Sequence, residues 1–132
     1  MKHSLLLLIC VMGLSPGCGE TGPKLVSVTG QVTWNQTPLA EGAISFEPLD
    51  ASQVPAGGKI INGSYAVRAS VGKHRVRILA TRPGSTVNSQ MGAAPREQYI
   101  PAMYNSQSAI EVEVTPAGPN KFDYPLVDQP AK

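Results

Sequence analysis

Histidine and cysteine are nearly missing from this chain, at two of each in 132 residues. His3 and Cys10 both fall within the first ten residues, which leaves only His74 and Cys18 beyond them. A zinc site of three or four nitrogen or sulfur ligands cannot be assembled from that stock. Charge is also sparse, at 15% of residues, with 11 Lys and Arg against 9 Asp and Glu. A net charge of +2 makes no basic field of the kind a phosphate backbone demands, so nucleic acid is excluded as an expected partner. No apolar run approaches the ~20 residues that a membrane-spanning helix needs, and no stretch shows a 3.6-residue period, so little helix is expected. What the chain has instead is Gly and Pro, 25 residues of 132 or about 19%. That is turn-rich, yet below the roughly 25–30% at which disorder becomes the default. The length suits one domain.

The N-terminal residues have the pattern of an export signal. Lys2 and His3 precede ten mostly apolar residues, Leu5 to Leu14, which suit a signal-peptide core and are too few to span a bilayer. Ser15, Pro16, Gly17 and Cys18 follow. This stretch resembles the lipobox of bacterial lipoproteins, although Ser15 stands where that family prefers Leu. The resemblance implies cleavage before Cys18, diacylation of its thiol and acylation of the new amino terminus. It also gives Cys18 a purpose: with Cys10 removed, the mature chain has one cysteine and no internal disulfide. The alternative is an ordinary secretory signal, or an uncleaved anchor, with an incidental Cys18. The expected organisation is a signal over 1–17, a tether over 18–24 and one domain over 25–128. The mature charge falls to +1. The sequons at Asn35 and Asn62 read as turn chemistry in such a protein.

From Leu25 onward the hydrophobic period is two. Val26, Val28, Gly30, Val32 and Trp34 share one phase, with Ser27, Thr29, Gln31 and Thr33 in the other. Ala43 to Glu47 places Ile44 and Phe46 on one side. Asn62-Gly63 between Lys59-Ile60-Ile61 and Ser64-Tyr65-Ala66-Val67 is a strong hairpin signal, since both turn residues tolerate positive φ. In Lys73 to Thr81, Val76, Ile78 and Ala80 point inward and Arg75 and Arg77 outward. Ile110, Val112 and Val114 alternate with Glu111 and Glu113, and Phe122, Tyr124 and Leu126 with Lys121 and Asp123. Seven short strands with one apolar face each must bury those faces against one another, which predicts an all-β, seven-stranded antiparallel β-sandwich.

The run VTGQVTWNQTPLAEGAISFEP, then GSYAV, then GKHRVRI, resembles the transthyretin-like, carboxypeptidase regulatory-like fold. That family has a Val-x-Gly-x-Val opening strand, a Pro-Leu-x-x-Gly-Ala turn and a Gly-x-Tyr hairpin; His74 replaces the aromatic usual in its next strand. With YIPAMYN and NKFDYPL, the chain is similar to small lipoproteins of planctomycete-type bacteria that carry this domain behind a lipobox. The resemblance implies a fold and no particular activity. Two related enzyme groups, the hydroxyisourate hydrolases and the intradiol dioxygenases, use more histidines than the one, His74, that the mature chain keeps. No catalytic residue, metal or cofactor is therefore expected.

Candidate binding residues come from two places. Arg75 and Arg77 share a face near Arg68, Lys73 and Arg82, either as a patch for anionic groups or as cross-strand partners of Glu111 and Glu113. Residues 83–109 lack a clear period over 27 residues, longer than the ~12–15 residues at which loops tend to be functional or disordered. Tyr99, Met103 and Tyr104 there either seat a partner or a sugar, or act as a lid that buries Ile100 and Tyr104. Two functions stand: a lipid-anchored module at the cell envelope, on the periplasmic or outer-membrane face, with a structural or protein-interaction role; or a carbohydrate-binding module that stacks a glycan on Tyr99, Tyr104 or Trp34.

Overall fold

The computed structural model describes Gly17, Gly19, residues 22–84 and residues 95–128. Cys18, the signal core and residues 85–94 lie outside the described residues.

The period-two segments form β1 (Leu25–Trp34), β3 (Glu41–Pro48), β4 (Ala56–Ile61), β5 (Ser64–Ser70), β6 (Gly72–Leu79) and β9 (Glu111–Val114). Short β2 (Thr37–Pro38), β10 (Asn120–Lys121) and β11 (Tyr124–Leu126) complete the main sheet, while β7 (Thr81–Pro83) and β8 (Arg96–Gln98) make a separate two-stranded ribbon. The order across the main sheet is β10-β1-β5-β4-β3-β6-β9, with β11 and β2 also on β1. The only helical element among the described residues is one 3-10 turn, Ala102–Tyr104.

Seven strands at ~4.8 Å spacing would extend about 29 Å if flat. Yet β9 and β10, at opposite edges, are joined only by Thr115 to Pro119, and Asn120 hydrogen-bonds back to Thr115 across that turn. The sheet is therefore curled so that its edges approach each other, and the apolar phase of its long strands faces the inside. Val28, Val32, Ile44, Phe46, Ile60, Val76, Ile78 and Val114 are all at most 1% exposed. The chain is an all-β curled sandwich.

One pairing departs from the antiparallel expectation. Directions alternate along β1, β5, β4, β3, β6 and β9, so the strand that follows β9 runs the same way as β1. The alternation breaks where Asn120–Leu126 lies parallel to β1, Val28 opposite Asn120 and Val32 opposite Tyr124. Gly30 sits between those pairs. A Cβ there would overlap the Phe122 carbonyl oxygen and lie 2.8 Å from the Tyr65 hydroxyl.

Both tight turns use positive φ. Asn62 (φ 50°) and Gly63 (φ 78°) make the expected hairpin. Asn35 (φ 49°) and Gln36 (φ 69°) make a second, which folds β2 back on Thr33 and Trp34.

Candidate functional site

Trp34 ends β1, and the alternation that buries Val28 and Val32 leaves it half-buried at the rim. Tyr99 is brought beside it by its own backbone, which donates to Ala80 O at 3.2 Å just beyond β6. The two rings meet edge to face, with centroids 5.7 Å apart and planes at 76°. On Tyr99, the exposed Arg82 guanidinium sits 5.3 Å from the ring centroid. An aromatic pair of this kind contributes about 0.5–1.5 kcal/mol beyond burial, and an exposed cation–π contact about 0.5–1 kcal/mol. The ribbon that carries Arg82 is braced by Arg96, whose Nε and Nη2 donate to Thr81 Oγ1 (2.8 Å) and Thr81 O (3.0 Å). Trp34, Tyr99 and Arg82 thus form one apolar, cationic cluster at the end of the sandwich where β1 finishes.

The other aromatic candidate is placed differently. Tyr104 is 9% exposed, and its hydroxyl accepts from Val127 N at 3.2 Å. Ile100 is buried beside the core, Asn105 Nδ2 donates to Ile100 O and Pro101 O, and the Ser108 hydroxyl donates to Val76 O. Residues 99–110 therefore run along β6 above β9 and reach across to the C-terminal strand, sealing the curled sheet as a lid. Tyr104 is a structural member of that lid, because only burial of its ring satisfies both the core and the Val127 amide; it offers no stacking face. Met103, one residue earlier, is 39% exposed.

Arg75 and Arg77 each face a carboxylate on a strand beside β6. Arg75 Nη2 lies 3.9 Å from Glu111 Oε1, on directly paired positions of β6 and β9. Arg77 Nε lies 3.2 Å from Glu47 Oε2, close in charge though not aligned as a hydrogen bond. Half-exposed pairs like these contribute under ~1 kcal/mol. Lys73 opposite Glu113 extends the same ladder. The geometry gives cross-strand pairing and does not join the arginines to the aromatic cluster.

Inside, His74 is fully buried, in phase with Val76 and Ile78. Its Nδ1 is 3.0 Å from Gly72 O and its Nε2 3.3 Å from Ser70 Oγ, which in turn donates to Gln53 Oε1 at 2.8 Å. Ser70 is 1% exposed and already spends its proton on Gln53, so the Ser70–His74 pair meets no substrate. The alternation of β6 carries the signal that His74 points inward; the residue type alone reads as surface. Tyr65 Oη donates to Phe122 O at 2.7 Å, and its ring stacks on Tyr124 at 6.3 Å. Burial first of all pushes the Tyr124 hydroxyl up to about 12 and raises that of Tyr65 as well.

Among the described residues no group of three or more His, Cys, Asp and Glu side chains could hold a metal ion. An open groove of about 530 Å³ lies on the outer face, lined by Glu41, Ala43, Lys59 and Ile61 among others. No helix among the described residues is long and apolar enough to cross a membrane.

No protein-family model and no curated protein matches the chain. Among solved structures it is similar to a 9R-lipoxygenase from Cyanothece PCC8801, with 14% identity and a TM-score of 0.39, over 78% of this chain and 16% of that one. A likeness of that size carries no activity across.

Proposed function

We propose that the protein is a lipid-anchored, non-catalytic β-sandwich of the cell envelope, of the transthyretin-like, carboxypeptidase regulatory-like kind, with a structural or protein-interaction role. The observation that carries this is the order of the chain: a ten-residue apolar run, then Ser15-Pro16-Gly17-Cys18, then a short tether into a domain whose first strand begins at Leu25. A domain that folds around its own apolar faces has no use for a disulfide, and acylation gives the one mature cysteine a role. Several acyl chains hold a protein at a bilayer where a single chain binds only reversibly. Expression in a bacterial host with labelled palmitate tests it. Label is expected in the wild-type chain and absent from Cys18→Ala; an unlabelled wild type recovered in the soluble fraction contradicts the reading.

A second reading has one observation in its favour, the Trp34–Tyr99–Arg82 cluster, whose apolar rings and guanidinium suit a sugar ring bearing an acidic group. Binding of an acidic glycan that disappears in Trp34→Ala and Arg82→Ala, with the fold intact, supports it. Equal binding by wild type and both variants rejects it.

A further inference from the structure

We infer that the end of the domain where the N-terminal tether enters rests on the bilayer, with Leu25, Leu49 and Val54 inserted at the headgroup boundary. This deepens the anchored reading above and rests on it.

These three aliphatic side chains are 44%, 47% and 71% exposed, and they come from separate parts of the chain. Leu25 opens β1 and pairs with Ser70. Leu49 and Val54 lie in the β3–β4 connection, which folds over the same place: Leu49 N donates to Lys73 O at 3.0 Å, and Gln53, next to Val54, takes the Ser70 hydroxyl and donates to Val71 O at 3.3 Å. All three therefore converge on the turn from β5 to β6. The connection is braced, with Ser52 N and Oγ both donating to Asp50 Oδ1 at 2.9 and 2.7 Å. Its apolar side chains are thus held outward by a defined loop. Free exposure of that kind loses free energy in water, which lipid contact recovers.

Charge and connectivity name the occupant. Lys24, Arg68 and Lys73 are exposed around this end, with Arg68 Nη2 donating to Leu25 O at 3.3 Å, against Asp50 and Glu113. Cations that surround apolar side chains suit an anionic lipid surface. Leu25 is seven residues after Cys18, a reach of at most about 25 Å, so an acylated Cys18 keeps this end at the membrane. At ~3.3 Å per residue, the ten residues of β1 place Trp34 about 30 Å farther out. The aromatic cluster is then presented away from the lipid.

The test attaches a bimane dye at Val54→Cys, and separately at Gln36→Cys in the distal turn, in the full chain reconstituted into vesicles of phosphatidylethanolamine and phosphatidylglycerol. Nitroxide on the lipid headgroup is expected to quench the dye at position 54 several-fold more than at position 36. Adding Leu25→Ser and Leu49→Ser is expected to abolish that difference while Trp34 emission reports an intact fold. Equal quenching at both positions overturns the inference. So does protection at position 54 that needs an added envelope extract, which makes the occupant a protein. An intact mass without acyl chains sinks the anchored reading alone, because quenching at position 54 still reports lipid contact however the chain is held.

Discussion

Asn120 and Thr115 are joined by three hydrogen bonds: Thr115 N to Asn120 Oδ1 and Asn120 Nδ2 to Thr115 O, both at 2.9 Å, and Thr115 Oγ1 to Asn120 Oδ1 at 3.2 Å. Between them lies the turn that joins the last strand of one sheet edge to the first of the other. Asn120 is 7% exposed, so its amide has no solvent to fall back on. Asn120→Ala strips all three bonds and leaves the Thr115 groups unmatched, which is expected to cost about 2–3 kcal/mol in urea unfolding. Asn120→Asp keeps the acceptor but loses the donor to Thr115 O, and is expected to fall between wild type and Asn120→Ala.

At Gly30 the parallel strand comes too close for any side chain. Since the obstacle is the Phe122 carbonyl, held by the Tyr65 hydroxyl, relief requires backbone movement. Gly30→Ala is expected to destabilise by about 3 kcal/mol or more, at the upper end of overpacking costs. A variant with wild-type urea midpoint would contradict the parallel register.

The buried tyrosines set an alkaline limit. Folded Tyr124 is raised from 10.0 to about 12, and Tyr65 shifts in the same direction. A hydroxyl with a raised folded value binds its proton more tightly in the native state, so this stabilisation is present below pH 10.0 and is lost as pH rises toward 12. Unfolding midpoints are expected to drop steeply across that interval. Ultraviolet titration is expected to show Tyr65 and Tyr124 ionising only as the fold opens.

Tyr99 and Tyr104 are expected to separate cleanly. Trp34 is the only tryptophan, so its emission reports the Tyr99 contact directly. Tyr99→Ala is expected to shift that emission to longer wavelength with little loss of stability. Tyr104→Phe removes the hydroxyl from Val127 N and is expected to cost about 0.5–1.5 kcal/mol with Trp34 emission unchanged. The reverse pattern would exchange their roles.

Alternation alone located the inward faces of β1, β3, β6 and β9, and Asn62-Gly63 announced its hairpin, because each is a local property of consecutive residues. The parallel placement of Asn120–Leu126 is not local: it depends on the curl that brings the chain after β9 back beside β1. Asn35-Gln36 is legible as a turn, but its tight geometry is not, because neither residue is glycine and yet both take positive φ. Within residues 83–109, Tyr99 and Tyr104 are the same residue type in the same aperiodic stretch, and only the tertiary fold decides that one lies at the rim and the other in the core. Arg75 and Arg77 were visible as a stripe, but their carboxylate partners on β3 and β9 depend on strand order.

The most direct test is the intact mass and membrane partitioning of the wild-type chain beside Cys18→Ala, both expressed in a bacterial host. The expected result is a wild-type chain that begins at Cys18, carries acyl mass and sediments with membranes, while Cys18→Ala carries none. A wild type that stays soluble at the mass of an unacylated chain would contradict the anchored module at its root.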